Sequence, residues 1–422
     1  MSIWENPTYV QLFSARLLSN AGDSLYAIAT MWLVHQLGGS TFYTGLAGFL
    51  VLIPNALQMF FGPIVERLPI KKTFVLTQLA QAIVVLFIPI VAHFNWLTVE
   101  FLLVIMPLLA LMNQLVFPME SALLPVILEK EQLVKGNIAF SFAFHGMELV
   151  FTTIAGLLIA TFGATTILLA DTVIFLAAML IFSMLKLPIE RLNMEKQESS
   201  FGEYGKQLKE GLHIVFRSLF FVAALGGLIA NFAFGMVNGV LPDYADHRGG
   251  ASVYGFYLAA LSFGILIGTL FASTIERFPL GKVAVFSYAG SAALWASAIY
   301  VPNTYASLIL LALSLLPIGA TNVVMAAVVQ SVVPTKYLAR VSTVLGSVSV
   351  GAMPLGSLIA GVLALKIGST HVLASPALGL LFIAFFWLLI PRLWKLPKSS
   401  EIQPEDFGLN IENPQLDTST SI

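Results

Sequence analysis

The sequence predicts an all-α integral membrane protein, with twelve transmembrane helices in two pseudo-symmetric six-helix bundles. Of the 422 residues, 58% are hydrophobic and 10% are charged. Soluble domains carry about 25% charged residues, so this apolar content requires a bilayer as solvent. Twelve apolar runs are long enough to cross a bilayer, and a basic loop motif recurs at half the chain length. These observations together predict the fold class.

The apolar runs divide the chain into two halves. Six are expected at 11–35, 43–65, 73–93, 99–118, 138–161 and 165–187, and six at 219–241, 253–275, 283–301, 305–329, 341–365 and 372–395. The domains are therefore predicted as an N-terminal half (1–187), a cytoplasmic linker with an amphipathic helix (188–217), a C-terminal half (218–396) and a disordered cytoplasmic tail (397–422). The first run lacks signal-peptide features, so we expect it to be retained as a helix.

Three short segments recur in the same order and at nearly the same spacing. The most informative is the basic loop, whose glutamates Glu66 and Glu276 lie 210 residues apart. An ordered repeat at half-length indicates two related halves. The alternative is that these are loop and small-residue motifs that any polytopic protein uses. The matched segments are 65–72 with 275–282, 38–43 with 249–254, and 154–156 with 359–361.

The distribution of Lys and Arg predicts the orientation. With the N-terminus inside, 18 of the 21 basic residues fall in cytoplasmic segments, whereas Arg248 and Lys366 lie outside and Arg16 lies in the first run. Basic residues are concentrated on the cytoplasmic side of membrane proteins. We therefore expect both termini in the cytoplasm, with the chain in the inner (cytoplasmic) membrane of the cell.

Several function classes are excluded by what the sequence lacks. A net charge of −1 gives no electrostatic basis for binding nucleic acid. The chain has no cysteine, which removes disulfides and thiolate metal sites. It also lacks the HExxH, GxSxG and Walker motifs of metalloproteases, hydrolases and ATPases. The prediction is a non-enzyme without metal or cofactor that draws energy from an ion gradient or a partner.

The loop at 62–72 reads G-P-I-V-E-R-L-P-I-K-K and resembles the G-x-x-x-D-R-x-G-R-K signature of the major facilitator superfamily. Pro69 and Ile70 depart from that signature. In the family this loop is a cytoplasmic latch between neighbouring helices, and the alternative is that its bases only mark topology. The resemblance, extended through the repeat, implies a gating role for Gly62, Glu66, Arg67, Lys71, Glu276, Arg277 and Lys282.

Three further segments resemble the macrolide-efflux-like exporter branch of this superfamily. They are 125–137, which matches P-x-L-V-x-x-E-Q-L-x-x-A-N, the Gly22–Asp23 pair of the first run, and Asp171 in the sixth run. The fifth run departs from drug antiporters, since it lacks their G-P-x-x-G-G pattern. The resemblance implies a monomeric secondary active exporter that expels a small amphiphilic molecule, such as a macrolide-like drug, by proton antiport and alternating access across the lipid bilayer.

Charged side chains inside the predicted runs or at their ends are the candidate site residues. Each costs about 2.5–3.5 kcal/mol at the bilayer centre and therefore needs a reason. Burial favours the neutral form of a carboxyl group, so alternating access can turn proton uptake and release at such a group into exchange. The proton-coupling or substrate candidates, first choices first, are Asp23, Glu148, Asp171, Arg16, His145 and Glu120.

Helical spacing offers a structural alternative for four of these residues. Arg16 shares a face of the first run with Asp23, and His145 shares a face of the fifth with Glu148. Each pair could instead be two paired charges that join helices. Uncharged polar residues could bind substrate or bridge helices, and 32 Phe and 13 Met provide adaptable apolar surface. The uncharged candidates are Gln58, Asn113, Gln114, Asn231, Asn238, Asn322 and Gln330.

Three other functions are compatible with the same residues. The chain could export an endogenous siderophore or small peptide. It could take up a solute by proton symport, or it could be a non-transporting membrane sensor that kept the fold. The retained acids Asp23 and Glu148 argue against the sensor, because a protein that transports nothing need not bear their insertion cost.

Overall fold

The computed structural model describes residues 3–60, 68–187 and 201–409, and regular secondary structure in these ranges is helical. The N-terminal helices are α1 (Pro7–Gly38), α2 (Thr41–Ala56), α3 (Ile70–His93), α4 (Val99–Ile127), α5 (Lys130–Phe162) and α6 (Ala164–Met184). Helix α7 (Phe201–Arg217) follows. The C-terminal helices are α8 (Leu219–Gly249), α9 (Ala251–Leu270), α10 (Ala272–Ile275), α11 (Leu280–Tyr300), α12 (Thr304–Val332), α13 (Thr335–Val350), α14 (Met353–Ile367), α15 (Ser369–Leu389) and α16 (Pro391–Trp394).

Local sequence signals set the bounds of the long helices. The Asn6 side chain accepts hydrogen bonds from the backbone N–H groups of Thr8 and Tyr9 at 3.0 and 3.1 Å, which satisfies two free donors at the start of α1. Gly39 follows the end of α1 with φ of 60°, a left-handed conformation that glycine adopts without strain. Ser40 then caps α2, so the chain reverses direction within two residues.

In the described ranges, nine helical stretches are long and apolar enough to cross a membrane. Helix α2 and the segment Gly146–Phe162 of α5 are apolar but shorter. Helix α1 has 32 residues and is continuous, but polar residues, among them Asn20 and Asp23, interrupt its apolar sequence near the middle. The chain is therefore a helical, multi-pass membrane protein, whereas the count of twelve spans stays a prediction.

One predicted run differs in the structure, and the predicted linker helix is described in part. The eleventh run is two helices, α13 and α14, which meet at Gly351 and Ala352. Pro354 stands in the first turn of α14, where a residue without an N–H is tolerated. The linker helix forms as α7, whose Glu210 accepts a hydrogen bond from Arg340 of α13 at 2.5 Å. Residues 188–200 of the linker lie outside the described ranges.

The first part of the tail is packed rather than disordered. Phe407 is fully buried and stacks on Phe220 of α8 with ring centroids 4.2 Å apart. The backbone N–H of Leu280 donates to the carbonyl of Pro397 at 2.9 Å. Ile402 and Leu409 are also buried, and this apolar surface offsets the entropy cost of ordering 397–409. Residues 410–422, the rest of the predicted tail, lie outside the described ranges.

The N-terminal and C-terminal helices meet through two glycine crossings. A Cβ atom on Gly45 of α2 would lie 2.7 Å from the Cα atom of Gly361 in α14. A Cβ atom on Gly156 of α5 would lie 2.9 Å from the Cα atom of Gly255 in α9. Small residues let membrane helices approach this closely. Gly156 corresponds to Gly361 in the sequence repeat, and Gly45 precedes Gly255 by 210 residues, the spacing of the two basic loops, so the two crossings join nearly equivalent positions of the two halves.

Hydrogen bonds between these two groups of helices cluster at the same end of the molecule, which we call the closed end. Thr41 donates to the carbonyl of Gly361 at 2.9 Å, and Thr44 donates to that of Gly239 at 2.6 Å. His35 of α1 lies 3.2 Å from Asp246 of α8. On the N-terminal side these bonds come from the end of α1 and the start of α2, so the closed end lies away from the start of α1.

Candidate functional site

Asp23 lies near the middle of α1 on a partly exposed face of the helix. Helix α1 is packed by α2, α4, α5 and α6 and also contacts α8. These neighbours do not cover all of α1, because Ala27 is exposed whereas Tyr26 and Ile28 on either side of it are buried. Asp23 is half-buried and lies one turn from Ala27 on the same face. Its side chain therefore lies on a face of α1 that the neighbouring helices leave partly open.

Amide side chains from α3 and α4 orient the Asp23 carboxylate. Asn113 donates to its Oδ1 atom at 3.0 Å, and Gln81 donates to the same atom at 3.3 Å. Gln81 also donates to Asn113 at 2.8 Å and accepts from Gln78 at 2.8 Å. These four residues, the Asp23 network, join three helices around a carboxylate whose amide donors carry no charge. Such a carboxylate can gain and lose a proton without breaking an ion pair.

Sequence reasoning found two members of this network and missed two. Asp23 and Asn113 were candidates, but Gln78 and Gln81 were not. Both glutamines are almost fully buried in α3. The sequence does contain a feature that could have identified them. Gln78 and Gln81 are three residues apart, so they share one helix face within an apolar run.

Arg16 is paired with Glu120 of α4 and not with Asp23. The Arg16 Nε atom donates to Glu120 Oε2, and both residues are at least 94% buried. The structural alternative paired Arg16 with Asp23 from their shared face. Seven residues, however, separate them by about 10 Å along the axis. Arg16 and Glu120 thus form a buried ion pair that joins α1 to α4.

Glu148 lies on the face of α5 that approaches the C-terminal helices. It is half-buried and lies one turn before Thr152. A Cβ atom on Gly255 of α9 would lie 2.7 Å from the Thr152 carbonyl oxygen. Glu148 is therefore close to the α5–α9 crossing. The side chain of His145, its predicted partner, lies outside the described part of the chain, so that pair stays a prediction.

Asp171 of α6 is fully buried against α1. A Cβ atom on Gly22 would lie 2.9 Å from Asp171 Oδ1, so glycine is what allows this approach. Neither carboxyl oxygen of Asp171 has a hydrogen-bond partner among the described residues. Since Gly22 adjoins Asp23, the structure brings two acidic candidates to neighbouring faces of α1.

The predicted latch residues are only partly placed. Gly62, Glu66 and Arg67 lie outside the described ranges, and Lys71 lies in the first turn of α3. The second copy of the loop lies beside α10 and α11, and its candidate residues Glu276, Arg277 and Lys282 are exposed. This loop follows the end of α9, whereas the closed-end contacts of α9 lie near its start. The latch role remains a prediction for all seven residues. The described ranges contain no group of three or more His, Cys, Asp or Glu side chains that could hold a metal ion.

The sequence profile of the transmembrane secretion effector family, within the major facilitator superfamily, matches residues 2–418. The chain belongs to this family. The predicted superfamily is thereby confirmed, and the protein is a multi-pass membrane transporter of small molecules and not an enzyme.

Individual relatives cover almost the whole chain. Multidrug efflux pump Tap of Mycolicibacterium fortuitum is 25% identical, with 94% of this chain and 98% of Tap aligned. Macrolide efflux protein A of Streptococcus pyogenes is 22% identical over 93% of this chain and 98% of its own length. The crystal structure of nucleoside transporter NupG superposes with a TM-score of 0.68 at 14% identity and covers 90% of this chain and 98% of NupG. That likeness concerns the fold.

Proposed function

We propose that this transporter is a proton-coupled exporter of small amphiphilic compounds. The observation that carries the proposal is Asp23, a half-buried carboxylate that accepts hydrogen bonds from two amides and has no ion-pair partner among the described residues. A carboxylate in that setting can exchange a proton with the cavity as the protein changes state. The drug efflux named for Tap and for macrolide efflux protein A supports export and an amphiphilic cargo.

The proposed architecture has twelve spans in two six-helix bundles, with both termini in the cytoplasm of the cell that carries the protein in its inner membrane. The basic residues of the predicted loops support this orientation. The closed end then faces outward, and a substrate cavity beside Asp23 is proposed to open to the cytoplasm. The two glycine crossings serve as the pivots about which the bundles rock, and the latch loops engage in the opposite state.

Transport then proceeds by exchange at the cavity. In the cytoplasm-facing state Asp23 releases its proton and the amphiphile enters. In the outward-facing state the amphiphile leaves and Asp23 takes up a proton, which favours return to the cytoplasm-facing state. Glu148 lies beside the cleft between the bundles and is the proposed contact for a basic group on the cargo. The protein is proposed to act as a monomer, as the superfamily resemblance implies.

Growth protection tests this function directly. The chain is expressed in an efflux-deficient bacterium that is exposed to macrolides, cationic dyes, quinolones and siderophores. We expect higher inhibitory concentrations for a subset of the amphiphiles, and rapid re-accumulation of those compounds when a protonophore is added. Protection that survives the protonophore contradicts proton coupling. Absence of protection against every compound, with the protein inserted in the membrane, contradicts export of amphiphiles and favours an endogenous product, uptake or a sensor.

A further inference from the structure

Helices α3 and α6 form an antiparallel pair whose outer faces are apolar. The ring of Phe74, near the start of α3, stacks on that of Phe182, near the end of α6, with centroids 4.7 Å apart. Each helix exposes large apolar side chains at helical spacing, and in a membrane protein such a face lies against the acyl chains of lipids. The exposed residues are Ile83, Phe87 and Ile90 on α3, and Leu169, Val173, Leu176 and Leu180 on α6.

A cavity of about 520 Å³, which we call the α3–α6 cavity, lies between the end of α3 and the start of α6. Its walls continue the two exposed apolar faces, because Ile90 and Leu169 belong both to the cavity and to those faces. Its polar side chains come from the last residue of α3, His93, and from the first turn of α6, Thr165 and Thr166. The cavity is therefore apolar towards the middle of the two helices and polar at their ends.

The second half of the chain has the same turn but bridges the equivalent helices. Gly163 precedes α6 with φ of 80°, and Gly368 precedes α15 with φ of 82°. At the end of α11, the Tyr300 hydroxyl lies 3.1 Å from Nδ1 of His371 in the first turn of α15, which joins the two helix ends. Among the described residues, no hydrogen bond joins the polar side chains of the α3–α6 cavity in this way. These side chains are thus available to a ligand.

The lining of the α3–α6 cavity suits a phosphate group that carries acyl chains. The His93 imidazole and the hydroxyls of Thr165 and Thr166 can all donate hydrogen bonds to phosphate oxygens. No acidic side chain is among the described residues that line the cavity, so a cationic headgroup finds no carboxylate there. A free phosphate would leave the apolar part of the cavity unfilled, whereas a phospholipid matches both parts.

The position of the cavity along the helices agrees with a lipid. In the proposed orientation α3 ends and α6 begins on the outer side of the membrane. Phe94 and Trp96 follow α3, are exposed, and have ring centroids 5.6 Å apart. Aromatic side chains are enriched at the depth of the lipid headgroups. The polar end of the cavity therefore lies where a lipid phosphate is found.

We propose that the α3–α6 cavity is a binding site for an anionic phospholipid of the outer leaflet. The side chains of His93, Thr165 and Thr166 donate to its phosphate, and an acyl chain lies along the exposed faces of α3 and α6. The bound lipid covers the seam between these two helices and stabilises their pairing. This site is independent of the compound that the protein transports.

Thermal unfolding of the purified full chain in an uncharged detergent tests the lipid class. Added phosphatidylglycerol should raise the unfolding midpoint by a few degrees and to a saturating value, because a ligand that binds the folded state stabilises it. Phosphatidylcholine with the same acyl chains should raise it much less, and inorganic phosphate should not raise it. Equal effects of the two lipids would overturn the proposal. An equal effect of inorganic phosphate would show an anion site and overturn the assignment to a lipid.

The double variant His93→Leu/Thr166→Val tests the residues. It removes two donors and should weaken the apparent affinity for phosphatidylglycerol at least severalfold. The matched control, Thr161→Val/His371→Leu, makes the same two changes at exposed positions outside the cavity and should bind as the wild type does.

Native mass spectrometry provides a second measurement on the same proteins. A tightly retained phosphatidylglycerol molecule should accompany the wild type and the control, but not the double variant. If the double variant does not fold, Thr166→Val alone, which exchanges one exposed hydroxyl for a methyl group, should show a smaller loss in the same direction. Wild-type affinity and retention in these variants would overturn the proposed site.

Discussion

Replacement of Asp23 by Asn should abolish gradient-driven export while folded protein remains in the membrane. Asparagine keeps the size of the side chain and one carbonyl oxygen for the amides of Gln81 and Asn113, but it cannot bind and release a proton. The measurement is efflux of a protective compound from preloaded cells after an energy source is restored. We expect the rate in Asp23→Asn to fall to that of cells without the transporter.

Asp243→Asn is the matched control for that experiment. It makes the same chemical change at a half-buried position of α8, outside the Asp23 network, and should export at the wild-type rate. Equal amounts of each variant in the membrane must be verified by quantitative immunodetection. If Asp23→Asn exports normally, Asp23 is not the coupling residue and the proposed mechanism is wrong.

Breaking the Arg16–Glu120 ion pair on one side should produce the largest loss of stability. Arg16→Met leaves the buried Glu120 carboxylate without its partner, and such changes cost about 3–5 kcal/mol. The double variant Arg16→Met/Glu120→Leu replaces both charges by apolar groups of similar size. It should recover most of the loss, because a buried ion pair and a packed apolar pair are often nearly equal in stability.

Thermal unfolding of the purified proteins in detergent distinguishes these variants. The predicted order of midpoints places the wild type and the double variant close together and the single variant well below both. A single variant as stable as the wild type would show that the pair contributes little. A double variant as unstable as the single one would show that Arg16 acts through contacts other than Glu120.

The sequence alone located Asp23, since a carboxylate in an apolar run carries a cost that needs an explanation. It did not locate the donors to Asp23, because Gln81 and Asn113 lie on other helices and helix packing sets their distances. For the same reason Arg16 was assigned a neighbour on its own helix. Its partner Glu120 is 104 residues away in the chain, and helical periodicity carries no information about such contacts.

The repeat and the tail show the same division between local and long-range information. The repeat includes Gly156 and Gly361 without indicating a role for them. Their role follows from the structure, where each meets a glycine of the other half of the chain, Gly255 and Gly45. The tail has the polar composition of a disordered segment, but its Phe407 stacks on Phe220 of α8. One buried aromatic ring can order a short segment when a pocket exists, and composition does not reveal the pocket.

Proton movement driven by substrate is the most direct test of the central claim. Purified protein is reconstituted into liposomes that contain a pH-sensitive dye and hold a proton gradient across the membrane. Addition of a compound against which the protein protects cells should collapse the gradient faster in wild-type vesicles than in Asp23→Asn vesicles. If the compound crosses the membrane at equal rates with and without a gradient, and the dye reports no proton movement, export is not proton-coupled and the account is wrong.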